Sequence, residues 1–149
     1  MRLDSFARDH RSLVLWATDC AEHVLPYFEG KYPKDNRPRD AVEAGRAWVR
    51  GEIAMSEARA AALAAHAAAR AADQAAARAA ARSAGHAAAT AHVASHAAHA
   101  ANYALTAARS PDAAVPTESA AASARERDWQ YRRLPKHLRP VAFPARGNN

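Results

Sequence analysis

The sequence predicts an all-α, single-domain protein: a compact bundle of about six helices around a central, closely packed, alanine-rich core. Residues 56–109 contain no proline, and nearly every one of them is a strong helix former. Apolar residues make up 50% of the chain but aromatic residues only 7%, so the core depends on closely approaching backbones. A length of 149 residues suits one domain, 1–149, with an ordered core over about 8–143.

The first helix is predicted over residues 9–28, because its apolar residues recur at helical spacing. Asp9 is the predicted N-cap, and Pro26 is expected to end or kink the last turn. After a loop over 29–38, a second helix follows from Pro38 to Arg50, and Gly51 is its predicted C-terminal stop.

The alanine-rich region is predicted to form three helices rather than one, since a single helix of that length would be about 80 Å long. Breaks are expected near 72–73 and between 90 and 95, which gives helices over 56–71, 73–90 and 95–109. Ser56 is the predicted N-cap of the first. Gly85 is expected where a neighbouring helix presses closest, because glycine otherwise destabilises a helix interior.

The last predicted helix covers residues 117–134, between a loop at 111–117 and Pro135. In the C-terminal tail we expect Val141 and Phe143 to dock on the bundle. The tip, residues 144–149, is expected to be flexible.

The net charge of +6 and the pI near 10.1 invite a nucleic-acid interpretation. However, lysine is scarce and acidic residues lie among the arginines at both ends of the chain. Glu126 and Asp128 interrupt the densest basic patch, which consists of Arg125, Arg127, Arg132, Arg133, Lys136 and Arg139. This distribution argues against a nucleic-acid partner, and a basic nucleic-acid-associated protein is kept as an alternative only.

The motifs of several enzyme classes are absent, including the phosphate loop, the dinucleotide fingerprint and the nucleophile elbow. Cys20 is the single cysteine and lies in the apolar stripe of the first helix, which favours a core position. The start of the sequence has no apolar leader, and no segment suits a membrane span. We therefore expect a cytoplasmic protein with no membrane association and no cofactor.

Four histidines, His86, His92, His96 and His99, are the candidate metal ligands. The last three follow at spacings of 4 and 3, which would place them on one face of a continuous helix. No fourth ligand follows at the spacing found in metalloproteases. The helix break predicted between residues 90 and 95 would also separate these histidines. We therefore expect buried or helix-capping histidines, with a metal-binding helical domain as the alternative.

Asp19 and Glu22 lie one turn apart on the first helix, at the flank of its apolar stripe. Paired carboxylates can carry out acid–base chemistry. Ion pairs with arginines such as Arg37 and Arg39 are the expected alternative.

Several segments, in this combination and order, resemble a family of small bacterial and archaeal proteins named putative immunity proteins. They are LVLWATDCAEHVL at 13–25, DNRPRDAVE at 35–43, AHAAAR at 65–70, AGHAAATAHV at 84–93, and the pairs at 129–130 and 134–135. Members are similar to immunity components of bacterial polymorphic toxin systems.

The resemblance implies a non-enzymatic protein that binds and neutralises a cognate toxin made by the same cell. An inhibitor of this kind needs a rigid scaffold and a complementary surface. The candidate contact residues are charged, and lie in the loop before the second helix and at the basic C-terminal end: Asp35, Arg37, Arg39, Asp40, Arg132, Arg133 and Lys136. A homodimer is left open, because alanine faces can pair between chains.

Overall fold

A computed structural model of the chain describes residues 2–113 and 119–143, and these residues form helices and no strands. The helices are α1 (Arg2–Val24), α2 (Pro26–Glu29), α3 (Arg37–Val49), α4 (Met55–Ala71), α5 (Ala75–Ala89), α6 (His96–Arg109), α7 (Ser119–Arg133) and α8 (Arg139–Ala142), with a 3₁₀ turn at Lys136–Leu138. Six of these helices have thirteen or more residues, which confirms the predicted all-α bundle. The predicted flexible tip, 144–149, lies outside the described residues. Within them, no helix has both the length and the hydropathy that a membrane span requires.

Helix α5 is the centre of the bundle, since α1, α3, α4 and α6 all pack on it. Most of its residues are buried: Ala76, Ala77, Ala79, Ala80, Ala81, Ser83, Ala84, Gly85, Ala87 and Ala88. A helix that is apolar on most of its circumference is stable only when neighbours cover it. Small side chains allow those neighbours to approach closely, because the distance between helix axes follows the size of the residues in the contact.

The predicted breaks in the alanine-rich region are confirmed, with α4 ending at Ala71 and α6 beginning at His96. The start of α5 has no side-chain cap of its own. Instead, the backbone amide of Ala76 donates to the Asp112 carboxylate at 3.1 Å. Ser110 donates to the same carboxylate from its hydroxyl, at 2.5 Å. The turn after α6 therefore caps the central helix from a distant part of the chain.

Two predicted N-caps are wrong, and one helix start with them. Helix α1 begins at Arg2 and not near residue 9, and the Asp9 carboxylate binds His137 Nε2 at 2.9 Å instead of capping. Helix α4 begins at Met55, with Ala54 rather than Ser56 at the N-cap. In both places the side chain that suggested a cap lies inside the helix.

Glycine has a definite role at two positions of α3, its C-terminal end and its contact with α1. Gly51 has a φ of 75° and ends α3 as predicted, with its amide donating to Trp48 O and the next amide donating to Ala47 O. Gly45 is buried where α3 crosses α1, and a Cβ there would lie 2.7 Å from Thr18 Cγ2. The crossing is therefore too close for any larger residue.

The C-terminal segment is attached to the bundle mainly through aromatic and amide contacts. Phe143 docks against Trp16, edge to face, with ring centroids 5.7 Å apart. Val141 is 46% exposed, so the prediction that it docks is wrong. Trp16 Nε1 donates to the backbone of Gln130, and the Gln130 amide donates to Ala101 O, both at 2.8 Å. These buried bonds join α1, α6 and α7.

We expect Gly45→Ala to destabilise the protein by about 1–3 kcal/mol, because the added methyl group overpacks the contact with Thr18. This is opposite to the roughly 1 kcal/mol gain that alanine brings to an ordinary helix interior. Urea unfolding would measure the difference. Adding Thr18→Ser removes Cγ2 but keeps the hydroxyl that donates to Leu15 O. This second change should restore most of the lost stability. If Gly45→Ala alone left the free energy of unfolding unchanged, that result would contradict the close crossing.

Candidate interaction surface

Arg46 of α3 is the central cation of a polar surface that α1 and α3 share. Its guanidinium lies 3.0 Å from Asp19, 3.0 Å from Glu22 and 3.4 Å from Glu43, and its side chain is only 18% exposed. The hydrogen bond from Arg46 lowers the pKa of Glu22. Three carboxylates from two helices therefore hold this guanidinium in one position.

The surface continues from Arg46 in both directions. Arg39 binds Glu29 through two hydrogen bonds of 2.7 and 2.8 Å and approaches Glu22 at 3.6 Å. At the other end, Arg133 of α7 lies 3.1 Å from Asp19. We call this row the charged ridge; it consists of Glu29, Arg39, Glu22, Arg46, Asp19 and Arg133. It joins the two candidate patches, which are nearly a hundred residues apart in the sequence.

The expected partners of the α1 carboxylates are only partly correct. Arg39 approaches Glu22, but Arg37 binds Asp35 instead, with bonds of 2.9 and 2.7 Å. The main partner, Arg46, was missed. The only feature of the sequence that predicts an ion pair of Arg46 is Glu43, three residues earlier. That spacing predicts a pair within α3 and not one with the carboxylates of α1.

The other candidate contact residues lie around the ridge rather than in it. Asp35 and Arg37 form part of a hollow of about 510 Å³ with Tyr32, Pro33 and Lys34. The bond from Arg37 lowers the pKa of Asp35. The remaining candidates are exposed: Asp40 in the first turn of α3, Arg132 paired with Asp128 at 2.8 Å, and Lys136.

A second hollow, of about 320 Å³, lies along the α1–α7 end of the ridge, lined by Asp19, Glu22, His23, Trp129 and Arg133. The His23 ring stacks on Trp129 at 3.9 Å, and the Arg133 guanidinium lies 4.8 Å above the indole. His23 Nδ1 also lies 2.8 Å from the buried Glu126 carboxylate. The indole is therefore held by intramolecular contacts.

Glu22 and the nearby Cys20 are both held in unreactive forms. Glu22 is held in its ionised form by Arg46, so it is a weak proton donor at neutral pH. Cys20, on the same helix, is fully buried, and burial raises the pKa of its thiol well above the usual range. The thiol therefore belongs to the core, as its position in the apolar stripe predicts.

The candidate metal ligands converge only in part. His86 of α5 lies within 5.1 Å of His96 and of His99, measured between ring centroids, and its Nδ1 is 2.9 Å from His96 Nδ1. His92 is separate, because α6 begins after it, and its Nδ1 contacts Met55 Sδ at 3.2 Å. His66 of α4 joins the group at 4.9 Å from His86. That residue lies twenty positions away in sequence, so helical spacing could not indicate it.

The chemistry of this histidine cluster is that of packed, neutral rings. His66 Nδ1 accepts a hydrogen bond from Arg82 at 3.0 Å, which requires an unprotonated nitrogen. The His66 ring also lies against Gly85, where a Cβ would be 2.7 Å from it, so the glycine does lie where the neighbouring helix presses closest. Within residues 2–113 and 119–143, no group of three or more potential ligands is arranged to hold a metal ion.

We expect the cluster to make the protein acid-sensitive between pH 7 and pH 5. Burial lowers the pKa of His86 to about 3, and it also lowers those of His66 and His96. As the pH falls, the unfolded chain binds protons near pH 6.5 while the folded chain resists, so stability falls with the pH. The ion-paired carboxylates lose their contribution only below about pH 4.5.

Urea unfolding at the two pH values would measure this loss. His86→Gln should reduce the loss of stability between pH 7 and pH 5 by about 1 kcal/mol, after allowance for solvent screening of a partly exposed ring. His92→Gln, outside the cluster, should leave it unchanged. Equal pH dependence in the wild type and the His86 variant would contradict the argument.

Comparison with known proteins gives one match. The family model described as Imm-5 like putative immunity protein matches residues 6–137, which span all of the ridge and the histidine cluster. No curated protein and no solved structure matches the chain. The match covers far more than half of the sequence and agrees with the resemblance carried by its segments. The chain therefore belongs to the Imm-5 like putative immunity protein family.

Proposed function

We propose that this protein is a non-catalytic inhibitor that binds and neutralises a cognate bacterial toxin through the charged ridge and the hollow beside Trp129. Membership of an immunity-protein family supports the role. The observation that carries the choice of surface is the joining of the two candidate patches into one row of ion pairs from α1, α3 and α7, with a half-buried tryptophan at one end.

The ridge is ordered before any partner arrives. Arg46 is fixed by three carboxylates, and Arg39 by a two-bond contact with Glu29. Side chains that are already immobile lose little conformational entropy on binding, so more of the contact energy appears as affinity. A preorganised surface of this kind suits an inhibitor that must hold its target tightly.

The composition of the hollow is also typical of an interface centre. Tryptophan and arginine are the residues most enriched among those that dominate binding energy. Trp129 and Arg133 lie together here, and alternating charges surround them. The exposed charges farther out, such as Arg37, Asp40, Arg132 and Lys136, would mainly steer the encounter and set its orientation.

The test is co-expression with the toxin encoded beside this gene, followed by a growth assay and pull-down. We expect the wild-type protein to bind and protect. Trp129→Ala and Arg133→Glu should each weaken binding by about 30-fold, the effect of losing an interface centre worth about 2 kcal/mol.

Arg78→Glu is the matched control, because Arg78 is exposed on α5 and lies outside the ridge. It should protect as well as the wild type. Circular dichroism would confirm that each variant is folded. Failure of the wild type to bind would overturn the proposed role, whereas full protection by both ridge variants would overturn only the proposed surface.

A further inference from the structure

Among the residues that the structure describes, the bundle around α5 is open on one side. Helix α4 packs on α3, α3 on α1 and α1 on α6, and all four pack on α5, whereas α4 and α6 scarcely touch each other. One sector of α5 therefore lies in a groove between α4 and α6. We call it the open groove. The ridge lies on the side of α5 that α1 and α3 cover.

The floor of the open groove is the one stripe of α5 made of large polar side chains. Arg78, Arg82 and His86 follow one another at intervals of four residues, in a helix that is otherwise almost entirely alanine. Arg82 reaches His66 on α4, and His86 reaches His96 on α6. These two contacts show that the stripe faces the open groove, since they connect it to α4 on one side and to α6 on the other.

The wall formed by α4 carries a second stripe, at spacings of 4, 3 and 4: Arg59, Leu63, His66 and Arg70. Leu63 is 61% exposed, although its helix belongs to the core. On the opposite wall, Tyr103 stacks on His86 at 5.2 Å. The open groove thus has an exposed apolar side chain between arginines on one wall and an aromatic ring on the other.

The charge of this side of the molecule is positive and uncompensated. Residues 55–109 contain five arginines and no lysine, but only two acidic residues, Glu57 and Asp73, which lie at the start and just beyond the end of α4. The side chains of Arg59, Arg70 and Arg78 make no hydrogen bond or ion pair with any other described residue. Arg82 binds only a neutral imidazole nitrogen. The arginines of the ridge, by contrast, are all paired.

We propose that the open groove binds an acidic protein segment, with carboxylates on its free arginines and an apolar side chain against Leu63. Charge complementarity selects an acidic partner, because unpaired arginines attract carboxylates over several ångströms. A second copy of this chain does not fit, since two identical positive faces repel each other. Nucleic acid fits less well, because a phosphate backbone leaves Leu63 exposed. The proposal does not rest on the toxin-binding role.

The probe is a fluorescein-labelled peptide of glutamates with one central leucine, and anisotropy measures its binding to the full chain at low ionic strength. Reversing two floor charges, Arg78→Glu with Arg82→Glu, should weaken binding at least about tenfold. The matched control, Arg132→Glu with Lys136→Glu, changes the net charge equally on the other side and should stay within about twofold. Leu63→Ser should weaken binding of this peptide but not of one in which serine replaces the leucine.

Three results would overturn the proposal. One is equal loss in the two double variants, which would mean a response to net charge alone. Another is no measurable binding of the peptide by the wild type. The third is tighter binding of a DNA duplex than of the peptide, with the same dependence on Arg78 and Arg82. Thermal unfolding of each variant separates loss of binding from loss of fold. Toxin protection, measured in parallel, is expected to be independent of the changes at Arg78, Arg82 and Leu63.

Discussion

The close burial of α5 by five other helices, chiefly α1, α3, α4 and α6, is the constraint on which the structure depends. The buried positions of α5 hold only alanine, serine or glycine. The two that are not alanine have specific contacts: Ser83 donates to Ala100 O, and Gly85 lies beneath the His66 ring. Because alanine buries little apolar area, the larger core side chains lie outside α5, among them Leu13, Trp16, Phe28 and Leu134. The bundle therefore has a thin, tightly packed centre and a larger-residue layer along α1.

This arrangement gives the two sides of the molecule different surfaces. Where α1 and α3 cover α5, the carboxylates of α1 meet the arginines of α3 and α7, and the charges are paired within the molecule. Between α4 and α6, no helix of the described residues covers α5, and arginines and histidines fill the gap. The first surface is preorganised, and the second retains unused charge. A single small protein thus presents two chemically different faces.

Much of the fold could be predicted because the signals are local. Helix-forming composition, the Pro26 kink, the Gly51 stop and the breaks around residues 72 and 90 depend on neighbours along the chain. The errors arose where a cap-forming residue lay inside a helix, as at Asp9 and Ser56. Asp9 binds His137, which is 128 residues away, and no local pattern announces such a contact. For the site, the patches around Arg39 and Arg133 were predicted, but Arg46 and His66 were not.

The sequence by itself determined the all-α class, the number and most of the approximate limits of the long helices, and kinship with the immunity-protein family. It did so because alanine content, prolines, glycines and ordered segments act through neighbouring residues. Only the tertiary structure decided that α5 is the buried centre, that Arg46 joins the two charged patches, and that His66 rather than His92 completes the histidine cluster. These depend on which helix faces meet, and alanine faces are too similar to one another for periodicity alone to specify their partners.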